Sequence, residues 1–452
     1  MNKKLILFGA GNYGKSAYDE FHKEYKIVCF ADNNSRIQGT TIKGVPVISP
    51  NELKKWMDDN TTVVVCCGLY RDIVNQIEKM GIDDYYIYTD YTLFEKPVPK
   101  VEAGVKRCTR CIMDDSSDDM ILFSRDGYCN YCEAALRNFG KIYFPNAIGK
   151  RKLDKLLNEV KASGVGKKYD CIMGLSGGLD SSYLTYLGYK WGLRILVVHI
   201  DDGFDTEISK KNISKLIEKT KFDFENVKPD SEQYADLIVS YMKAGVPNIA
   251  VPQDNLDLAY IYEKLKEYDI KYFLSGGNFA LECILQKGNT YSNLDVQNIL
   301  NIHNKFGKGP IDKLKFISSE EVEDIKRTRG IMTVRPLDLI DYNRDRAFCE
   351  LKEFCGFEYY GRKHLENKLT EFIQLYWFPK KFGVDKRTSH LSSMIVTGQM
   401  TREQALREFS EPLYKEDEMK RCIELIKKSL NISDEEFNRI MAAPTHQHGE
   451  YN

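Results

Sequence analysis

Two adjacent glycines, set between an apolar run and an Asp-Ser-Ser triplet, constrain this chain more than any other feature. Tyr169-Asp170-Cys171-Ile172-Met173-Gly174-Leu175 reads as a buried β-strand, and Ser176-Gly177-Gly178-Leu179-Asp180-Ser181-Ser182 leads from it straight into a helix. A strand that turns into a helix over so few residues points to an α/β architecture built on a parallel sheet. The glycines let a phosphate approach the backbone where a Cβ would collide. The first turn of the helix offers unpaired N–H groups at the positive end of its dipole. Ser176, Ser181 and Ser182 add hydroxyl donors, and Asp180 is placed to help hold Mg²⁺. The pattern is not a Walker A loop, which needs Gly-x-x-x-x-Gly-Lys-Ser/Thr. A plain Gly-Gly turn with a serine cap is the simpler alternative; agreement at five fixed positions after an apolar strand favours a nucleotide-phosphate site.

Strands and helices alternate on both sides of this loop. Arg194 to Ile200 is the next strand, ended by Asp201-Asp202-Gly203, and Tyr272-Phe273-Leu274 is a later one, ended by Ser275-Gly276-Gly277-Asn278. Asp201, Gly276 and Gly277 thereby fall at strand C-termini, where open α/β sheets hold ligands. At 452 residues the chain exceeds one ordinary core. Its segments are expected at 1–97 (a Rossmann-like unit), 105–148 (a metal-stapled module), 149–340 (the sheet domain with the Ser-Gly-Gly loop) and 341–452 (mainly helical, completing the site). Glu95-Lys96-Pro97-Val98-Pro99-Lys100 has the composition of a linker.

Lys and Arg total 65 against 66 for Asp and Glu. Such a balance speaks against a nucleic-acid partner, which is usually met by a basic excess. No run of about 18 apolar residues suggests a membrane span. The opening Met1-Asn2-Lys3-Lys4-Leu5-Ile6-Leu7-Phe8 breaks at a glycine-rich turn and reads as a strand, so a cytoplasmic location is expected. Twelve cysteines in a reducing compartment favour metal or core roles over disulfides.

Four of those cysteines have ligand spacing. Cys108-x-x-Cys111 and Cys129-x-x-Cys132 form two knuckles that can close one tetrahedral site. The acidic stretch between them could not bury a core of its own, so structural Zn²⁺ is the preferred reading and an iron–sulfur cluster the alternative. Near the start, Gly9-x-Gly11-x-x-Gly14 follows a strand and opens a helix, and Asp32 closes the next strand. That is the context a dinucleotide fingerprint requires. The unit lacks a second mononucleotide half, however. It resembles the small N-terminal domain of bacterial sugar O-acyltransferases, including Gly44-Val45-Pro46-Val47 after the second strand. The resemblance implies a sugar-nucleotide site at Gly9, Gly11, Gly14 and Asp32.

The C-terminal third carries Gly361-Arg362-Lys363-His364-Leu365-Glu366-Asn367 and, further on, Lys381-Phe382-Gly383-Val384-Asp385-Lys386-Arg387. The second of these runs, with the four cysteines, the Ser-Gly-Gly loop, Asp201 to Glu207, Gly277-Asn278-Phe279-Ala280-x-Glu282-Cys283 and the tail Thr401-Arg402-Glu403-Gln404-Ala405-Leu406, resembles the N-acetyl sugar amidotransferases. That family consists of PP-loop ATP-pyrophosphatases from bacterial surface-polysaccharide and flagellin-glycan pathways. The resemblance spans about 105 to 410; typical members lack the N-terminal unit. It implies that ATP adenylates an N-acetyl group, which ammonia then converts to an acetamidino group. In that reading Ser176, Gly177, Gly178, Ser181 and Ser182 hold diphosphate and Asp180 assists Mg²⁺. Lys381, Lys386 and Arg387 neutralise phosphates, and Glu282 orients substrate or ammonia. The substrate would be an acetamido sugar or nucleotide-sugar. Since no glutaminase signature occurs, ammonia is expected from a separate glutaminase and cyclase-like pair. Two other readings stay open at this stage: a tRNA-thiolating PP-loop enzyme, and a non-catalytic nucleotide sensor.

Overall fold

A computed structural model describes residues 3–96 and 104–452. The linker expected at 95–100 lies mostly outside the described residues. The chain divides into two compact units, Met1–Asn138 with Ile284–Gly288, and Phe139–Cys283 with Asn289–Asn452. The cysteine knuckles thus share a unit with the N-terminal segment. The helical C-terminal region shares one with the Ser-Gly-Gly loop.

In the first unit β1 (Lys4–Phe8), α1 (Asn12–Phe21), β2 (Lys26–Ala31), β3 (Thr41–Ile42), β4 (Val45–Ile48), β5 (Thr61–Cys66), α2 (Arg71–Lys79), β6 (Tyr85–Thr89) and β7 (Thr92–Glu95) follow in order. They build one sheet, β3-β4-β2-β1-β5-β6-β7, parallel except for the outer pairs β3/β4 and β6/β7. Strand order reverses between β1 and β5, so the Gly9–Gly14 turn emerges at the switch point. Here glycine is a steric requirement. A Cβ on Gly14 would lie 1.9 Å from the Gly9 carbonyl oxygen, whereas one on Gly11 would meet nothing within 4 Å. Gly14→Ala is therefore expected to destabilise this unit by about 3 kcal/mol. Gly11→Ala, at the helix N-cap, should cost no more than about 1 kcal/mol. Thermal unfolding of the two variants checks the contrast.

The second unit holds a wholly parallel sheet. Its elements begin with α3 (Ala147–Ser163), β8 (Cys171–Gly174), α4 (Leu179–Lys190), β9 (Ile195–Ile200), α5 (Glu207–Thr220), β10 (Asp223–Val227), α6 (Ser231–Ala244) and α7 (Val251–Glu267). Strands β11 (Tyr272–Leu274) and β12 (Met332–Val334) complete an order β10-β9-β8-β11-β12. The reversal falls between β8 and β11, paired Ile172 to Phe273 and Met173 to Leu274. Both glycine-rich turns, Ser176–Gly178 and Ser275–Gly277, leave the sheet at that crevice, as an α/β ligand site requires.

From Arg344 onward the described chain is helical. One core joins α6 to this region: Tyr241, Met242, Phe372, Trp377, Phe437 and Ile440 are all buried in it. The Trp377 indole is fully buried and donates to the Val246 and Pro247 carbonyls, both at 3.1 Å. Residues Ile373–Phe382 form a π-helix containing Pro379. No helix among the described residues is long and apolar enough to cross a membrane.

Candidate nucleotide site

The loop after β8 is shaped by its own short side chains. Gly177 takes φ +76°, and a Cβ there would lie 2.3 Å from Ser209 Oγ. The Ser209 hydroxyl in turn donates to the Ser176 carbonyl at 2.9 Å. Ser176 Oγ accepts from Gly178 N at 3.2 Å and lies 3.1 Å from Ser181 Oγ. His199, at the end of β9, braces the loop from behind. Its Nδ1 lies 2.8 Å from the Leu175 carbonyl and its Nε2 2.7 Å from Asp205 Oδ2. A carbonyl and a carboxylate can only accept, so the arrangement suits an imidazole that carries hydrogen on both nitrogens. Burial works against the charge of that form, but the Asp205 carboxylate outweighs it and raises the imidazole above its ordinary value.

The loop opens into a cavity of about 840 Å³. Ser176, Gly178, Asp180, Ser181, Gly276, Gly277, Glu282, Lys386 and Arg387 all line it, so most of the predicted residues meet in one place. Gly276 packs against the first turn of α4: its Cβ would be 3.2 Å from Ser181 N. Four predicted residues stand apart. Gly177, within the loop, does not line the cavity, and Ser182 is fully buried in α4. Asp201 pairs with Lys228 at 2.8 Å. Lys381 is the clear correction. Its ammonium caps the helix Asp434–Ala442, donating to the carbonyls of Ile440 at 2.8 Å and Ala443 at 2.9 Å. A lysine spent on a helix C-terminus is not available to phosphates.

The cation at the loop is Lys363. Its Nζ lies 2.7 Å from Asp180 Oδ2 and 2.9 Å from Glu282 Oε1. Burial opposes its charge, yet Asp180 and Glu282 hold the ammonium well above its usual range. Against the same burial, Lys363 holds Glu282 below the ordinary carboxylate value. Tyr342 donates a hydrogen bond to the other oxygen of Asp180. The neighbouring His364 has φ +63°, a left-handed backbone rare outside glycine. Burial, with Lys363 beside it, lowers its ring to about 3 and keeps it neutral. Arg335, just past β12, lies over Gly277, whose Cβ would be 3.4 Å from its guanidinium. Arg387 is held by Asp385 at 2.7 Å. Across the cavity Asp254 and Asp257, both on α7, form an acidic wall. Burial raises Asp257 well above the carboxylate range.

Sequence reasoning missed Lys363, Tyr342 and Arg335 as site residues. Lys363 stood in the noted Gly361–Asn367 run, whose density of charge in a loop was the available signal. Tyr342 and Arg335 carried none.

In the first unit the four cysteine sulfurs all lie within 4.8 Å of one another and are buried. Cys111 N and Cys129 N donate to Cys108 Sγ at 3.4 and 3.2 Å, and Cys132 N to Cys129 Sγ at 3.4 Å. Amides aimed at sulfur are what two knuckles supply to a metal-bound thiolate. At the Gly9–Gly14 turn, Asp32 accepts from Ala10 N at 2.7 Å and Asn34 N at 2.8 Å.

Two family profiles match parts of the chain. Residues 366–452 match the C-terminal domain of LPS biosynthesis protein WbpG-like proteins, and residues 1–88 match a C2185-like N-terminal domain. No curated protein matches. Among solved structures, the U34-tRNA thiolase NcsA from Methanococcus maripaludis, determined with its [4Fe-4S] cluster, is 15% identical at a TM-score of 0.30, covering 68% of this chain and 90% of that one. NMN synthetase from Francisella tularensis is 16% identical at a TM-score of 0.23, over 52% and 94% of the two chains. NH3-dependent NAD synthetase from Campylobacter jejuni is 13% identical at a TM-score of 0.25, over 46% and 93%.

Proposed function

We propose that the second unit is an ATP-dependent amidotransferase acting on the N-acetyl group of a bacterial sugar. Ammonia would come from a separate glutaminase, within surface-polysaccharide or flagellin-glycan biosynthesis. One observation carries the reading: the Ser-Gly-Gly loop, Asp180, Glu282 and Lys363 converge on one cavity at the sheet's switch point. At about 840 Å³ that cavity has room for a nucleotide and part of a second substrate. The match of residues 366–452 to an LPS-biosynthesis domain supports the pathway.

An acetamide resists ammonia because its oxygen cannot leave. Attack of that oxygen on the α-phosphorus of ATP breaks the bond to diphosphate and gives an O-adenylated imidate. Ammonia then adds at carbon, AMP departs with the oxygen, and loss of a proton leaves the amidine. The chain's part is positioning and charge stabilisation. Gly178 N–H and the Ser176 and Ser181 hydroxyls would hold diphosphate, with Lys363, Arg335 and Lys386 balancing its charge. Asp180 would hold Mg²⁺, which supplies Lewis-acid polarisation of the phosphates.

The cysteine site is read as structural zinc. Tetrahedral bonds of about 2.3 Å place sulfurs about 3.8 Å apart. The Cys111–Cys129 and Cys108–Cys132 pairs stand at 3.5 and 3.7 Å. A cubane interposes iron and sulfide between its ligands and needs wider spacing.

The test is to incubate the protein with ATP, Mg²⁺, ammonium and a panel of free and nucleotide-linked acetamido sugars. The expected result is AMP and pyrophosphate with a sugar lighter by about one mass unit, oxygen having been exchanged for NH by activation of the leaving group. Formation of ADP and orthophosphate would sink the reading.

A further inference from the structure

Glu366 is a buried acid over the loop that takes no part in the mechanism proposed for the site. Its residue is only 8% exposed, and its Oε2 has no hydrogen-bond partner. A carboxylate oxygen left unsatisfied at such depth calls for a ligand or a proton. The backbone fixes its place. Glu366 O accepts from Thr206 N at 3.0 Å, Phe204 O accepts from Lys368 N at 2.7 Å, and Asn367 bridges Asp205 in antiparallel fashion. The side chain is thereby laid over the Ser-Gly-Gly turn, where a Cβ on Gly178 would come within 2.5 Å of Glu366 Oε1. Diphosphate seated on Gly178 would meet this carboxyl directly.

We propose that Glu366 is the proton donor to diphosphate at this loop, its neutral carboxyl hydrogen-bonding a diphosphate oxygen and giving up the proton as the bond to the α-phosphorus breaks. The proposal rests on the PP-loop reading of the site. The electron pair of the breaking P–O bond stays with the departing bridging oxygen. The proton passes from Glu366 to the diphosphate, and a carboxylate remains. That carboxylate then faces an anion and repels it, which favours release, and solvent restores the proton.

The surroundings fit. Burial raises the Glu366 carboxyl to about 7; its own backbone amide, Lys363 and Tyr360 pull the other way, and Asp180 adds to the rise. The titratable groups facing it are Tyr360, Lys363 and His364 from its own segment and Asp180 from α4. His364 Nδ1 stands 4.0 Å away and is neutral. Tyr360 Oη accepts from Leu179 N at 2.8 Å, closing the site on that side. The sign follows: below pH 7 the carboxyl is neutral and admits diphosphate, and above it the carboxylate must recapture a proton to do so.

Binding of inorganic pyrophosphate to the full chain, measured by calorimetry at pH 6 and pH 8 for the wild type and Glu366→Gln, tests this. Ionisation of pyrophosphate itself is common to both proteins. The wild-type affinity relative to the variant should fall by about tenfold between the two pH values. At pH 8 the wild type should take up close to one more proton than the variant, read from buffers of different ionisation heat. Wild-type proton uptake beyond that of pyrophosphate alone gives the same answer without a variant. A ratio independent of pH, or a variant that weakens more at pH 8 than at pH 6, overturns the proposal while leaving the PP-loop reading intact. Failure of the wild type to bind pyrophosphate at either pH overturns both.

Discussion

Asp180→Asn is expected to lower AMP formation by about 10³-fold with the fold intact. The side chain accepts from two donors, Tyr342 on one oxygen and, on the other, Lys363, whose ammonium it shares with Glu282. Asparagine keeps an oxygen that can accept from Tyr342, and Lys363 keeps Glu282. Local packing should therefore survive, and circular dichroism and thermal unfolding should change little. What is lost is the anionic charge that would hold Mg²⁺ and keep Lys363 aimed at the loop. Lys363→Met should also be severely impaired. The double variant should be little worse than the poorer single one, because the two residues act as a unit. Independent, multiplicative losses would show that Lys363 serves some other step. AMP release followed by chromatography measures both. An Asp180→Asn protein within tenfold of wild type would remove Asp180 from the chemistry.

The parts of this site that could be read in the sequence are those made of local chemistry. Strand, double glycine and helix cap are neighbours in the chain, so Ser176 to Ser182 announced both the turn and its contents. The cysteine knuckles were visible for the same reason. Lys363 and Tyr342 reach Asp180 across more than 160 residues, and no spacing rule encodes that distance. Charge density alone misled in one instance. Lys381, Lys386 and Arg387 stand together in sequence, but the π-helix ending at Phe382 turns Lys381 toward the carbonyls of the Asp434–Ala442 helix. Two short edge strands were also silent. In β10 (Asp-Phe-Glu-Asn-Val) three polar residues interrupt the pattern, and the three residues of β12 give no period to read. Edge strands bury one face at most, so their sequences carry a weak apolar signal.

Cys111→Ser is expected to empty the metal site and to cost the first unit several kcal/mol, more than any single packing change there. The segment from 104 to 129 has few regular hydrogen bonds of its own; the isolated bridges Arg107–Asp114 and Phe123–Cys129 are its only strand-like pairings among the described residues. Four buried thiols so close together cannot all be ionised without a cation to balance them. Burial drives the Cys111 and Cys129 thiols up, while Cys108, accepting from its neighbours, is held down. That tension is what a bound metal relieves. The effect should spread, because Met120 and Leu122 are buried in the same core as Tyr70, Ile87 and Phe94 of the N-terminal sheet. Loosening the knuckles therefore unseats side chains that cover that sheet. Cys349→Ser is the control: an exposed thiol outside the cluster, whose loss should leave metal content and melting unchanged. Metal analysis beside thermal unfolding reads both, and the colour of the protein distinguishes the two candidate occupants, since zinc thiolates are colourless and iron–sulfur centres brown. A Cys111→Ser protein that melts like wild type would mean that apolar packing alone holds the module, and that its four cysteines are not a staple.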